Sequence, residues 1–303
     1  MPSRLKRIFS GILLLILPVA LHGPSVSADE IETDLPSLCG ALDKAFQKRA
    51  WGKNPCGTLS WKFESTSVQG RPLIYLVFGP EDSKNTTLIL SMVHGDEITP
   101  LYLGFQISQW AEENMSRYPN ARLVIAPLIN PDGFFGYPKT RTNSHGVDCN
   151  RNFSTRDWQK EALSQWKKRF HSDRRRFPGY KPDSEPETVF QKGLIEKFKP
   201  HKIISIHSPL NVLDYDGPDH VKLFRFGEEY VEKCQELREK LNAKSTGFYP
   251  GSLGNYTGKD LGIPTITLEL PTANHTRAKE YWQKFKKGLE LAISHEIPPR
   301  STK

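Results

Sequence analysis

Residues 91–100 read SMVHGDEITP, and an apolar run, TLILSMV, ends there on His94, Gly95, Asp96 and Glu97. A histidine and an acid three residues apart can give one metal ion an imidazole nitrogen and a carboxylate oxygen. The same spacing also arises by chance in a polar loop, because the chain has nine histidines and Glu is common. Two further apolar segments end in a similar way. IISIHSP (203–209) carries His207 after a run of isoleucines, and TITLELP (265–271) carries Glu269 where everything else suits a buried strand. A lone strand-end histidine is more often structural than a ligand, and an edge position or an arginine could satisfy Glu269. An uncompensated buried carboxylate is costly, so Glu269 needs a cavity, a cation or water. Taken together, His94, Glu97 and His207 with one open position make the ligand set of a catalytic zinc. RTNSHGVDCNRNF (141–153) adds Arg141, Asn150 and Arg151 around a Gly146 turn. A planar guanidinium beside a neutral amide donor suits a carboxylate, although a solvated Asn-rich loop has the same composition.

The elements that would carry these residues alternate. Residues 37–50 have helical spacing, and 59–79 read as two strands around Gly70. Residues 86–93 and 122–129 read as continuous apolar strands, the latter ended by the turn signal NPDG. Helices are expected over 99–115, over 184–198, over 221–243 and over 276–294, with strands over 202–208 and 263–271. Ser184 followed by Glu187 predicts a capping box at the start of the 184–198 helix. Alternating strands and helices predict an α/β fold: a single-domain α/β/α sandwich with a mixed, mainly parallel central sheet. Ligand sites in such sheets lie beyond the carboxyl ends of strands, where His94, Glu97, His207 and Glu269 fall.

The chain begins with a cationic MPSRLKR, an apolar IFSGILLLILPVAL and a small-residue SVSA before Asp29. That order predicts a cleaved secretory signal over 1–28 and a periplasmic or secreted protein, with no stable membrane insertion after cleavage. Residues 29–66 are expected as an N-terminal extension packed on a catalytic domain over 67–297. The formal charge of +8 falls to +5 without the three cations of the leader. This mild basicity suits an anionic polymer such as a cell wall. The densest basic run, KKRFHSDRRRF (167–177), reads as a solvated helix face and loop, so no nucleic-acid partner is expected. Export makes a disulfide plausible, and proximity in sequence selects Cys39–Cys56. Cys149 and Cys234 read as small buried residues. Nothing in the sequence asks for an oligomer, and a monomer is expected.

HGDE, NPDGF, GVDCNRNF, SEPET, SIHSP, GSLGNY and GIPTITLELP occur in the order and spacing of the zinc carboxypeptidases. Residues from about Arg71 to the C-terminal helix therefore resemble that family, and within it the bacterial murein tripeptide amidase branch. The resemblance implies one Zn²⁺ on His94, Glu97 and His207, and Glu269 as the general base acting on a zinc-activated water. It implies Asn150 and Arg151 as the clamp on the leaving residue's free carboxylate. It also implies an arginine for the oxyanion and a tyrosine that folds over the substrate. The family's RKTR aligns on PKTR (138–141), so Pro138 replaces the first arginine and Arg141 is the local candidate. Tyr249 is the candidate tyrosine, with Tyr256 second. Ser208, Ser252 and Asn255 are candidate substrate contacts, and the polar Ser252 and Asn255 favour a polar side chain. The implied activity is hydrolysis of the γ-D-glutamyl–meso-diaminopimelate bond of murein peptides. The alternatives are a carboxypeptidase for ordinary peptide C-termini, a deacylase of N-acyl amino acids, and a zinc- or wall-binding module without catalysis. Asp96 has two readings: it steadies a ligand histidine or it faces solvent.

Overall fold

The computed structural model describes residues 32–218 and 249–297. Its centre is β3 (Asn85–Ser91), in which every residue is buried. A strand buried on both faces needs apolar side chains pointing both ways, which is why NTTLILS does not alternate. β3 pairs in parallel with β4 (Ala121–Ala126) on one side and β5 (Lys202–His207) on the other. β7 (Thr265–Glu269) extends the parallel set beside β5. Antiparallel strands finish both sides: β2 (Pro72–Phe78) and β1 (Lys62–Thr66) beyond β4, and β6 (Leu213–Asp216) beyond β7. The seven-stranded order is β1-β2-β4-β3-β5-β7-β6.

Successive residues along each strand serve different layers. Ile89, Ile125, Ile204 and Ile266 pack with α1 (Leu35–Lys48), α2 (Ile98–Asn114) and α6 (Ala278–Ser294). Leu88, Leu90, Val124 and Ile203 pack instead with Phe190, Leu194, Ile195 and Phe198 of α5 (Pro186–Phe198). The result is the expected α/β/α sandwich with a mixed, mainly parallel sheet.

The N-terminal segment is more integral than an extension. Leu38, Leu42 and Phe46 of α1 lie in the same core as the strand isoleucines, and residues 62–66 form the edge strand β1. The sheet therefore crosses the expected boundary at residue 66. Asp34 caps α1 by accepting from the Ser37 amide at 2.7 Å, and the Cys39–Cys56 disulfide ties α1 to the turn after it. Cys149 is a buried free thiol, as expected, whereas Cys234, the 221–243 helix and the leader lie outside the described residues. No helix among the described residues is long and apolar enough to cross a membrane.

The capping box expected at Ser184 does not form. The residue before α5 is Glu185, and no side chain caps the helix. Ser184 Oγ donates to Glu185 Oε1 at 2.7 Å and accepts from Asn152 at 3.1 Å. Glu187, fully buried, accepts from Asn143 Nδ2 at 2.8 Å and from the Val68 amide at 3.2 Å. Buried amides of the 143–152 loop need acceptors, and these acids supply them. Two further α-helices, the short α3 (Pro131–Phe135) and α4 (Trp158–Lys168), follow β4, and α4 precedes the basic 169–177 loop.

Two outcomes are expected from this packing. Leu88→Ala leaves a cavity at a fully buried position of the central strand and should cost about 2–5 kcal/mol in denaturant unfolding. Burial pushes the Glu187 carboxyl up to about 7 from an ordinary value of 4.5, against the Asn143 hydrogen bond. A raised carboxyl pKa means that the folded chain holds the proton more tightly. The contribution is thus complete below about pH 4.5 and is lost as pH rises towards 7. Unfolding free energies of wild type and Glu187→Gln, measured across pH 4.5–7, should show a steeper decline in the wild type than in the variant.

Candidate metal centre and active site

The sheet reverses its winding between β3 and β5: the chain passes from β3 to β4 on one side and from β5 to β7 on the other. A crevice opens beyond the carboxyl ends of strands at such a point. His94 lies three residues beyond β3, Glu97 is the residue that starts α2, His207 ends β5, and Glu269 ends β7 in register with His207. Glu97 caps no helical amide with its side chain; its carboxylate serves the crevice. Gly95 is required by close approach, since a Cβ there would lie 2.1 Å from the Gly133 carbonyl carbon. The turn that carries His94 and Glu97 thus presses directly on the NPDG turn.

The three candidate ligands are buried, with exposures of 2, 7 and 2% for His94, Glu97 and His207. One ligand atom from each lies within 4.8 Å of the others. His94 Nδ1 is 2.7 Å from Glu97 Oε1 and 3.2 Å from His207 Nδ1, which is 3.1 Å from Glu97 Oε2. The remote ring nitrogens are held from behind: His94 Nε2 lies 3.2 Å from Asp148 Oδ1, and His207 Nε2 lies 2.9 Å from Ser205 Oγ. Both Nδ1 atoms therefore turn inward. Asp148, not Asp96, is the carboxylate behind His94. The sequence signal was present in GVDCNRNF, but nothing along the chain linked it to residue 94.

Charges here constrain one another. Burial opposes ionisation of Glu97, yet the His94 and His207 rings beside it hold its carboxyl below the usual range. Burial likewise opposes charge on Asp148, and Arg141 and His94 outweigh it. Arg141 donates from Nε to Asp148 Oδ2 at 2.8 Å and from Nη1 to Glu97 Oε1 at 3.2 Å. Glu269 differs: burial first, then the Glu97 charge, pushes its carboxyl up to about 7, with His207 opposing. The Leu210 amide approaches its Oε2 at 3.4 Å.

All the candidate residues singled out from the sequence except Tyr256 line one pocket of about 560 Å³. Asn150 Oδ1 accepts from the Leu253 amide at 2.8 Å, so its NH₂ is the group left to donate. Arg151 is buried under the Tyr249 ring, 4.5 Å from guanidinium carbon to ring centre, and burial lowers it to about 10. A buried guanidinium at a pocket wall is an anion site. Ser252 and Asn255 line the pocket but chiefly hold the turn that presents Tyr249: Asn255 Nδ2 donates to the Tyr249 carbonyl at 2.7 Å, and its amide donates to Ser252 Oγ at 3.2 Å. Ser208 gives its amide to Glu97 Oε2 at 3.1 Å. Tyr256 stacks on Phe153 at 5.5 Å and does not line the pocket. Residues that the sequence did not suggest line the far wall: Asp214 and Asp216 of β6, and Thr267 of β7. Arg175 and Arg176, from the run read as a solvated surface, also line the pocket.

Comparison with known proteins agrees with this arrangement. A zinc carboxypeptidase family model matches residues 61–290. Murein peptide amidase A of Escherichia coli (strain K12) is 31% identical over 217 residues, covering 71% of this chain and 82% of that protein. Murein peptide amidase A of Vibrio campbellii is 29% identical, covering 68% and 77%. Among solved structures, the murein-tripeptide amidase MpaA from Escherichia coli O157 aligns with a TM-score of 0.54 at 25% identity, covering 80% of this chain and 94% of that one. Bovine thrombin-activatable fibrinolysis inhibitor shares the fold at 18% identity, with a TM-score of 0.56 over 84% and 94% of the two chains. With its His-Glu-His cluster at the switch point of the sheet, the chain belongs to the zinc carboxypeptidase family of hydrolases.

Proposed function

We propose that this zinc peptidase is an exported amidase that cleaves the γ-D-glutamyl–meso-diaminopimelate bond of murein peptides. The observation that carries the reading is the likeness to murein peptide amidases across most of the catalytic chain. The pocket supports it. Beyond the Asn150–Arg151 clamp, Ser252, Asn255, Thr267, Asp214 and Asp216 form a polar, partly acidic wall. Such a wall suits a leaving residue whose side chain ends in an amine and a carboxylate better than an apolar one.

The donor set fits zinc. Two inward Nδ1 atoms and a carboxylate, separated by 2.7–3.2 Å, approach the edge of about 3.3 Å expected for neighbouring tetrahedral ligands with bonds of about 2.0 Å. Zinc held by His94, Glu97 and His207 would polarise the scissile carbonyl and lower the pKa of water. The chain's own residues do the rest. Asn150 and Arg151 grip the free carboxylate of the leaving residue, and Tyr249 covers that end of the pocket. Glu269, raised to about 7 by burial, accepts a proton from the attacking water and passes it to the departing amine. The water oxygen bonds to the carbonyl carbon, the C–N bond then breaks, and the second water proton also passes to the amine, leaving a glutamyl carboxylate and free diaminopimelate with its amine protonated. Arg141, fixed beside Glu97, offers positive charge to the developing oxyanion.

Purified enzyme should release diaminopimelate from L-Ala-γ-D-Glu-meso-diaminopimelate. Trimming of ordinary L-peptides with no diaminopimelate release would refute the substrate assignment while keeping the chemistry. Glu269→Gln should lower kcat by at least about a thousandfold with zinc content unchanged. Residual activity near wild type would remove Glu269 from the role of base. Asp148→Asn should weaken zinc binding about 10–100-fold in competition with a chelator, because His94 loses its orienting carboxylate.

A further inference from the structure

The proposed substrate has a group that ordinary peptides lack at the same place. In a γ-linked D-glutamate the scissile carbonyl belongs to the side chain, so the residue keeps a free α-carboxylate a few bonds from the reacting carbon. That anion lies on the acyl side, away from the leaving residue gripped by Asn150 and Arg151. A second cation there would let the site select the γ-linkage.

One arginine is placed for this. Arg175 lines the pocket and is half-exposed, and its Nη1 donates to Asp96 Oδ2 at 2.5 Å. Asp96 stands between His94 and Glu97 on the turn that carries both ligands. The carboxylate clamp is tied elsewhere, through Asn150 to Leu253 and through Arg151 to the Tyr249 ring. Asp96 therefore draws a cation from a distant loop to the metal-bearing turn rather than to the clamp. The loop is built to deliver it. Asp173 accepts from the Arg175 amide at 3.0 Å, holding a short 3₁₀ turn over Arg174–Arg176, and the Asp148 amide donates to the Phe177 carbonyl at 2.8 Å. Arg176, the other pocket cation of this loop, instead lies over Phe170, 4.9 Å from its ring centre. An arginine offers five N–H donors, and Asp96 engages Nη1 alone in the bond described, so the fork can also bind a carboxylate.

We propose that Arg175, positioned by Asp96, binds the free α-carboxylate of the γ-linked D-glutamyl residue and so selects γ-glutamyl over ordinary peptide bonds. This subsite rests on the murein-amidase reading. The substrate can be altered at this group alone, by comparing L-Ala-γ-D-Glu-meso-diaminopimelate with its D-isoglutamine counterpart, in which the α-carboxylate is an uncharged carboxamide. Wild type should prefer the acid by about ten- to a hundredfold in kcat/KM, the scale of one charge-assisted hydrogen-bond pair. Arg175→Gln should erase most of that preference, losing activity on the acid and little on the amide. Arg175→Lys should restore part of it. Equal hydrolysis of both substrates by wild type, or an equal loss on both in Arg175→Gln, overturns the subsite and leaves the amidase reading intact. Cleavage of neither murein peptide, with an ordinary C-terminal residue removed, overturns the amidase reading and the subsite with it.

Discussion

Two imidazoles and a carboxylate with almost no exposure face one another at the ends of two parallel strands. Each would be expensive to bury alone. Glu97 is tolerable because two rings and Arg141 surround it; Asp148 is tolerable because Arg141 and His94 do. Three lone-pair donors crowded at 2.7–3.2 Å make sense for a shared cation, which replaces mutual crowding with bonds to a common centre. The remote nitrogens must then point away from it, and the Asp148 carboxylate and Ser205 hydroxyl are what lock them.

The fold around this cluster follows from holding it in place. Parallel strands deliver residues from remote parts of the chain to one edge, as the His207–Glu269 register shows. The start of α2 places Glu97 where the helix dipole favours an anion. The loops between are braced by polar contacts rather than apolar packing. Asp132 accepts from Ser67, Gln69 and Arg71, locking the β1–β2 hairpin to the NPDG turn, on which Gly95 rests. Glu185 and Glu187 both accept from Asn143, which fixes the loop that carries Asp148, Asn150 and Arg151. A displacement in the first brace would move the turn that carries His94 and Glu97, and one in the second would move Asp148, Asn150 and Arg151.

Glu269 is partly buried beside the ligands but lacks their compensating neighbours, and its raised proton affinity is the consequence. One crevice therefore holds a carboxylate whose neighbours favour its ionised form and another whose proton affinity burial has raised. Their environments, not their chemistry, separate the ligand from the candidate base.

The sequence singled out His94, Glu97, His207, Glu269, Asn150, Arg151 and Tyr249, and the structure brings all of them to one pocket. Buried strands must be apolar, so a charged residue ending one stands out, and the family motifs keep their order. The layer architecture was legible for the same reason, as was the Cys39–Cys56 pair, which lies close in sequence. The expected cap at Ser184 failed because spacing cannot reveal that Asn143 and Asn152 compete for the same acids and hydroxyl. Ser252 and Asn255 were found for their polarity, although much of that polarity is spent on the Tyr249 turn. Asp96 had two readings until Arg175 was found bound to it, and Arg175 itself read as a solvated cation. Sequence by itself determined which residues could do chemistry and which elements could carry them, since periodicity and composition are local. Only the tertiary structure decided which charges share a cavity, because hydrogen bonds and ion pairs act over a few ångströms of space, whatever their separation along the chain.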